Sequence, residues 1–139
     1  MSAIPHQASC VAIGGRAVLI EGPPGSGKSS LALMLIDRGA KLVGDDGVLL
    51  EVRDGRLWAL PPPNIAGLIE IRNVGIARLP AGEAPVALVV RLDPAAARQP
   101  ESAEHIVLAG MSVPLIRLWP ESPVLPLRAE QALALHGTA

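Results

Sequence analysis

The run Gly22-Pro23-Pro24-Gly25-Ser26-Gly27-Lys28-Ser29 constrains this chain most, because it fills every fixed position of the phosphate-binding pattern G-x-x-x-x-G-K-[ST]. That pattern carries meaning only between a strand and a helix. Ala17-Val18-Leu19-Ile20 ahead of it has strand character, and Leu31-Ala32-Leu33-Met34-Leu35-Ile36 behind it begins a helix. The glycines let the backbone curl, so that successive N–H groups and the positive end of the helix face phosphate oxygens. Lys28 adds a charge for the β- and γ-phosphates, and the Ser29 hydroxyl suits a magnesium ion. Gly22, Pro23, Pro24, Gly25, Ser26, Gly27, Lys28, Ser29 and Ser30 are therefore the candidate nucleotide-binding residues.

The rest of the chain limits what the loop can serve. At 139 residues it is expected to form one domain over 1–139. Half the residues are apolar, yet Phe and Tyr are absent and only Trp58 and Trp119 are aromatic, so base stacking on aromatic platforms is not expected. The net charge of −1 and the lack of a long basic run argue against nucleic acid or an anionic membrane as the main partner. Cys10 is the one cysteine, which excludes an intrachain disulfide. The chain shows no charged-then-apolar leader and no apolar run of bilayer length, so a cytoplasmic setting without a membrane partner is expected.

In chain order, Met1 to Gln7 reads as an irregular start that places His6 at the mouth of the first strand. Ser9 to Ile13 and Arg16 to Glu21 read as a hairpin turning at Gly14-Gly15. A helix from Ser29 to about Arg38 stops at Gly39 and suits a crossover, so Lys41-Leu42-Val43 should be a strand parallel to the first. Asp45-Asp46 then falls at the C-terminal edge of a strand, where open α/β sheets bind ligands. One acid there can hold a metal or take a proton from an attacking hydroxyl. Asp54-Gly55 turns a second hairpin between Val48–Val52 and Leu57–Leu60, and Pro61-Pro62-Pro63 ends its pairing. Glu70 and Arg72, two apart, would share one face of an extended segment. Ala87–Leu92 is a buried strand, Asp93–Ala103 a loop, His105–Leu108 and Val113–Leu118 a strand pair, and Leu127–Leu135 a helix begun by Pro126.

The phosphate loop, the Leu-Ala-Leu helix, Arg38-Gly39, Leu42-Val43, Asp45-Asp46, Leu68-Ile69-Glu70-Ile71-Arg72 and Val74-Gly75-Ile76, in that order, resemble the HPr kinase/phosphorylase family. In particular it looks like the short form found in some proteobacteria, which keeps only the catalytic domain, with the likeness running from about His6 to Leu118. The resemblance implies an α/β P-loop nucleotide-binding domain with a mixed β-sheet, a helix after the loop and a short C-terminal helix. It also implies an ATP- and Mg²⁺-dependent kinase acting on a serine of an HPr-type phosphocarrier protein of the phosphotransferase system. In that reading Lys28 stabilises the transferring phosphoryl group, and Ser29 with Glu70 holds magnesium. Asp46 is the base, Asp45 assists, and Arg72 lies in the family signature. His6 matches a histidine implicated in catalysis, and Arg98 an arginine on a loop that contacts the phosphorylation site. A homo-oligomer, a hexamer, is implied as well.

Several departures qualify that expectation. The N-terminal domain and the long C-terminal helices of full-length members have no counterpart, Asn73 stands where glycine is common, and the segment after Pro114 lacks a Gly-Arg-Asn ending. Kinase activity is therefore expected ahead of the reverse, phosphorolytic reaction. A P-loop kinase with another protein or small-molecule acceptor, and a nucleotide sensor without catalysis, remain open alternatives. Lys28, both acids, Glu70 and Arg72 speak against the sensor, which needs no proton acceptor.

Overall fold

The structure, a computed structural model, describes residues 3–139. In chain order its elements are β1 (Ile4–His6), β2 (Ser9–Ile13), β3 (Arg16–Glu21), α1 (Lys28–Asp37), β4 (Lys41–Gly44), β5 (Val48–Arg53), β6 (Arg56–Leu60), β7 (Leu68–Ile71), β8 (Gly75–Arg78), β9 (Ala84–Leu92), β10 (Glu104–Leu108), β11 (Met111–Leu118) and α2 (Leu125–His136). The two expected hairpins form. Gly14-Gly15 joins β2 to β3 and Asp54-Gly55 joins β5 to β6, with φ positive at all four residues, as a tight turn matched to strand twist requires. Arg53 then lies over the Trp58 ring across the second hairpin, 5.4 Å from its centroid.

Strand β9 is the spine. It pairs parallel with β3 along one edge, while along the other its start pairs antiparallel with β6 and its end parallel with β11. The sheet thus runs β1-β5-β6-β9-β3-β2-β4, with β11 and β10 added beside β9, and β7-β8 forms a separate two-stranded hairpin. Mixed pairing follows directly from two hairpins meeting parallel crossovers.

Both faces of the central strands are buried, which is why they read as unbroken apolar runs. Leu19 and Val89 point to one side, with Val48, Leu50, Leu57 and Leu115. Val18, Ile20, Leu88 and Val90 point to the other, where Leu31 and Leu35 of α1 and Ala129 and Leu133 of α2 cover them. Truncating a fully buried leucine such as Leu19 or Leu88 to alanine would cost about 2–5 kcal/mol. Arg38 at the end of α1 donates to both Glu130 oxygens of α2 at 2.9 and 3.0 Å, tying the helices together.

Three sequence expectations need correction. Met1 and Ser2 lie outside the described residues, but Ile4–His6 is not irregular: it pairs antiparallel with β5, Pro5 being tolerated because β1 is an edge strand. Strand β4 does run in the same direction as β3, yet the two are not neighbours. β2 lies between them, antiparallel to each, because the hairpin partner of β3 already occupies the edge that a simple crossover would have used. Finally, β7 ends at Ile71, so Arg72 sits in a turn with Asn73 (φ 68°) rather than on the strand face shared with Glu70.

Candidate functional site

Strand β3 delivers its backbone into the loop at Gly22. A Cβ there would stand 2.5 Å from Ser26 Oγ and 3.3 Å from Leu92 Cβ, so a larger residue would turn the Ser26 hydroxyl aside and press on β9. Ser26 N donates to Pro23 O at 3.1 Å, closing a turn, and Gly25 and Gly27 adopt φ values of 79° and 100°. Pro23, Pro24 and Gly25 form an exposed rim. Helix α1 then starts at Lys28 with no side-chain cap and no acid in its first turn, leaving its positive end unneutralised. Ser26 Oγ is buried without a hydrogen-bond partner. An unpaired hydroxyl inside a curl of glycine N–H groups fits a phosphate oxygen. Lys28 arches back over the loop, Nζ donating to Gly22 O at 2.9 Å and to Pro23 O at 3.4 Å.

Asp45 gathers the other side of the site. Ser29 Oγ, on the first turn of α1, donates to Asp45 Oδ1 at 2.5 Å, and the buried Ser9 reaches the same oxygen at 3.4 Å. The Glu70 backbone N–H donates to Asp45 Oδ2 at 3.1 Å, which hangs the β7-β8 hairpin on the carboxylate. Ser29, Asp45 and Glu70 therefore converge, although they come from three elements. Asp46 is exposed, with φ 58° and no recorded hydrogen bond. Of the acid pair, the half-buried Asp45 is the one in contact with Ser29 and the Glu70 backbone. Ser30, Glu70 and Arg72 are exposed around this cluster.

On the opposite side of β3 a cavity of about 570 Å³ is lined by His6, Glu21, Gly22, Pro23, Arg91 and Arg117, among others. Glu21 ends β3, and Arg91 and Arg117, each one residue before the end of β9 and β11, lie beside it at one register level of three parallel strands. His6 Nε2 lies 2.8 Å from Glu21 Oε2, while Arg91 Nη2 donates to Glu21 Oε1 at 2.7 Å. Burial pushes the Glu21 carboxyl up, but the hydrogen bonds from His6 and Arg91 outweigh it and hold the group below the ordinary carboxylate value. Arg117 is engaged by Asp93 at 3.1 Å and Glu104 at 2.7 Å. Sequence reasoning named His6 but missed Glu21, Arg91 and Arg117. Their signal was present: a charged residue at or one short of the end of each apolar strand, where parallel sheets bind ligands.

Arg98 is not brought to the phosphate loop. It is exposed on the 93–103 loop and lines a second cavity of about 290 Å³ with Trp119 and Arg128. Trp119 Nε1 donates to Ala96 O at 2.7 Å, stitching that loop to the end of β11, and Arg128 lies over the indole at 5.6 Å. Arg117 borders both cavities. Among the described residues no group of three or more His, Cys, Asp or Glu side chains is arranged to hold a metal. A magnesium ion held by a serine, one or two carboxylates and the nucleotide's own phosphates needs no such group.

Residues 2–81 match the HPr serine kinase C-terminal domain, a span holding the loop, Asp45, Asp46, Glu70 and Arg72. The chain belongs to that family. Its fold is similar to the HPr(Ser) kinase/phosphatase from Coxiella burnetii, with a TM-score of 0.83 and 30% identity over 94% of this chain and 88% of that one. Among curated relatives, an HPr kinase/phosphorylase from Streptococcus thermophilus is 38% identical over 122 residues, covering 78% of this chain and 40% of that protein. One from Clostridium novyi is 45% identical over 67 residues, covering 48% and 22%. The chain thus spans less than half the length of these curated relatives. No described helix is long and apolar enough to cross a membrane.

Proposed function

We propose that this HPr serine kinase domain uses Mg²⁺ and ATP to phosphorylate a serine on an HPr-type phosphocarrier protein in the cytoplasm. The observation that carries the reading is the convergence of Ser29, Asp45 and Glu70 beside the polar curl of the loop. Loop N–H groups, Ser26 and Lys28 hold the triphosphate, and Ser29 with Glu70 or Asp45 holds the metal, which neutralises phosphate charge when bound. Asp46, without a hydrogen-bond partner among the described residues, takes the serine proton. His6 faces the loop from the other side, and Arg72 and Arg98 reach the carrier from exposed turns. Residues 1–139 act as one catalytic domain. Copies assemble into a homo-oligomer, a hexamer in the family resemblance, for which the exposed Val74 and Ile76 of the β7-β8 hairpin offer apolar surface.

The test is incubation with Mg-ATP and HPr-type carriers, following carrier mass and the position of phosphoserine. Lys28→Ala should abolish transfer and leave the thermal midpoint within a few degrees, since it removes only two hydrogen bonds to an exposed loop. Tight ATP binding without transfer would instead support another acceptor or a sensor. Phosphate-dependent removal of phosphoserine, measured in the same mixture, decides whether the reverse reaction survives.

A further inference from the structure

The end of β3 carries a second function besides delivering the phosphate loop. Glu21 immediately precedes Gly22, and its side chain is only 13% exposed between two partners. One oxygen accepts from Arg91 at 2.7 and 3.3 Å, and the other meets His6 Nε2 at 2.8 Å. His6 sits at the end of the short edge strand β1, and β1 is separated from β2 by Gln7 and Ala8 alone; since Ser9 pairs with Ile20, chain continuity brings the ring to the end of β3. Its ring is 23% exposed and lines the 570 Å³ cavity together with Gly22 and Pro23.

The 2.8 Å contact between His6 Nε2 and Glu21 Oε2 needs one donor, and a carboxylate that already accepts from Arg91 is an acceptor, which assigns the donor role to the ring nitrogen. No hydrogen bond is recorded to His6 Nδ1 among the described residues. The other charged groups of the cavity are committed elsewhere: Arg91 to Glu21, and Arg117 to Asp93 and Glu104. We propose that Glu21 is a positioning residue that pins the His6 ring and keeps its proton on Nε2, leaving Nδ1 as the nitrogen that meets a hydroxyl or phosphate in the cavity. Residues fixed in this way sit on a rigid strand, and a wrong tautomer disables a histidine whose position is otherwise unchanged. The inference rests on placing His6 in the kinase site.

Long-range proton–nitrogen correlation spectra of the ¹⁵N-labelled chain test it directly, with His6 assigned by a His6→Gln variant and the sample at alkaline pH. The expected spectrum shows Nε2 protonated and Nδ1 bare. Glu21→Gln, isosteric but able to donate as well as accept, should give a mixture of tautomers and lower kcat about ten- to hundredfold. The nucleotide Kd should stay within about twofold, since the loop is untouched. Arg91→Gln, which removes the ion pair but not the His6 contact, should keep the Nε2 proton and so separates lost charge pairing from lost positioning. A proton on Nδ1 in the unaltered chain, or a Glu21→Gln variant with unchanged tautomer and kcat, overturns the proposal. If the unaltered chain transfers no phosphoryl group at all, the kinase reading fails while the spectra still decide what Glu21 does to His6.

Discussion

Gly44, the last residue of β4, has a negative φ, so no left-handed backbone demands glycine there. What demands it is space. A Cβ at this position would stand 2.7 Å from Val48 Cγ1 and closer still to the Gly47 carbonyl oxygen. Reaching ordinary contact of 3.4 Å requires a displacement of at least 0.7 Å at Val48, and part of the obstacle is backbone, which cannot rotate away. The carbonyl belongs to the turn that holds Asp45 and Asp46, and Val48 opens β5 directly after it, so Gly44→Ala moves the acid pair relative to Ser29. Overpacking of this kind costs about 1–3 kcal/mol, and the backbone collision argues for the upper end. For a chain of this size about 3 kcal/mol lowers the thermal midpoint by roughly 10 °C. Turnover should fall further, because a misplacement near 1 Å costs about a hundredfold in rate. Scanning calorimetry and carrier phosphorylation, measured on one preparation, give both numbers. A variant with unchanged midpoint and unchanged turnover refutes the claim that this close approach positions the acids.

Two further perturbations separate roles that the geometry assigns to different atoms. Asp46→Asn keeps a residue tolerant of positive φ on an exposed turn, so stability should change by under about 0.5 kcal/mol, while turnover falls by about a hundredfold or more with ATP binding retained. Asp45→Asn weakens the bonds from Ser29 and Glu70 N–H and should destabilise by about 1–3 kcal/mol in urea titrations. If Asp45→Asn abolishes turnover and Asp46→Asn does not, the base assignment reverses. For Glu21, whose folded pKa lies below the ordinary 4.5, the stabilisation is present above about pH 4.5 and is lost as pH falls through the folded value. The difference in urea midpoint between the unaltered chain and Glu21→Gln should hold near about pH 6 and shrink below about pH 4.5; a difference independent of pH would contradict the linkage.

Local chemistry made most of the fold legible. Gly-Gly and Asp-Gly turns, the glycine-rich loop, Gly39 after α1 and Pro126 at the start of α2 each act over a few residues, and those elements fall where the sequence puts them. What escaped was long-range. The pairing of Ile4–His6 with Val48–Leu50 spans more than forty residues, and the insertion of β2 between β3 and β4 depends on which edge is already taken. At the site, the phosphate loop and the acid pair were readable because their residues are adjacent in sequence. The row Glu21, Arg91 and Arg117 was not, since it exists only once three parallel strands are in register. Arg72 shows the opposite error: an assumed extension of β7 gave it a strand face that the Arg72–Val74 turn removes.

The tether from Trp119 to Ala96 also makes the molecule its own optical instrument. With no Tyr or Phe in the chain, near-ultraviolet emission comes from two indoles alone. Trp119 is hydrogen-bonded to the loop that carries Arg98 and lies beneath a guanidinium, so any displacement of that loop changes the polarity and quenching around it. Trp58, on the β5-β6 hairpin, lines neither described cavity. Replacing Trp58 with Phe would leave a single-emitter protein whose spectrum reports on the 93–103 loop in real time, without a label and without altering a residue of the phosphate-binding site.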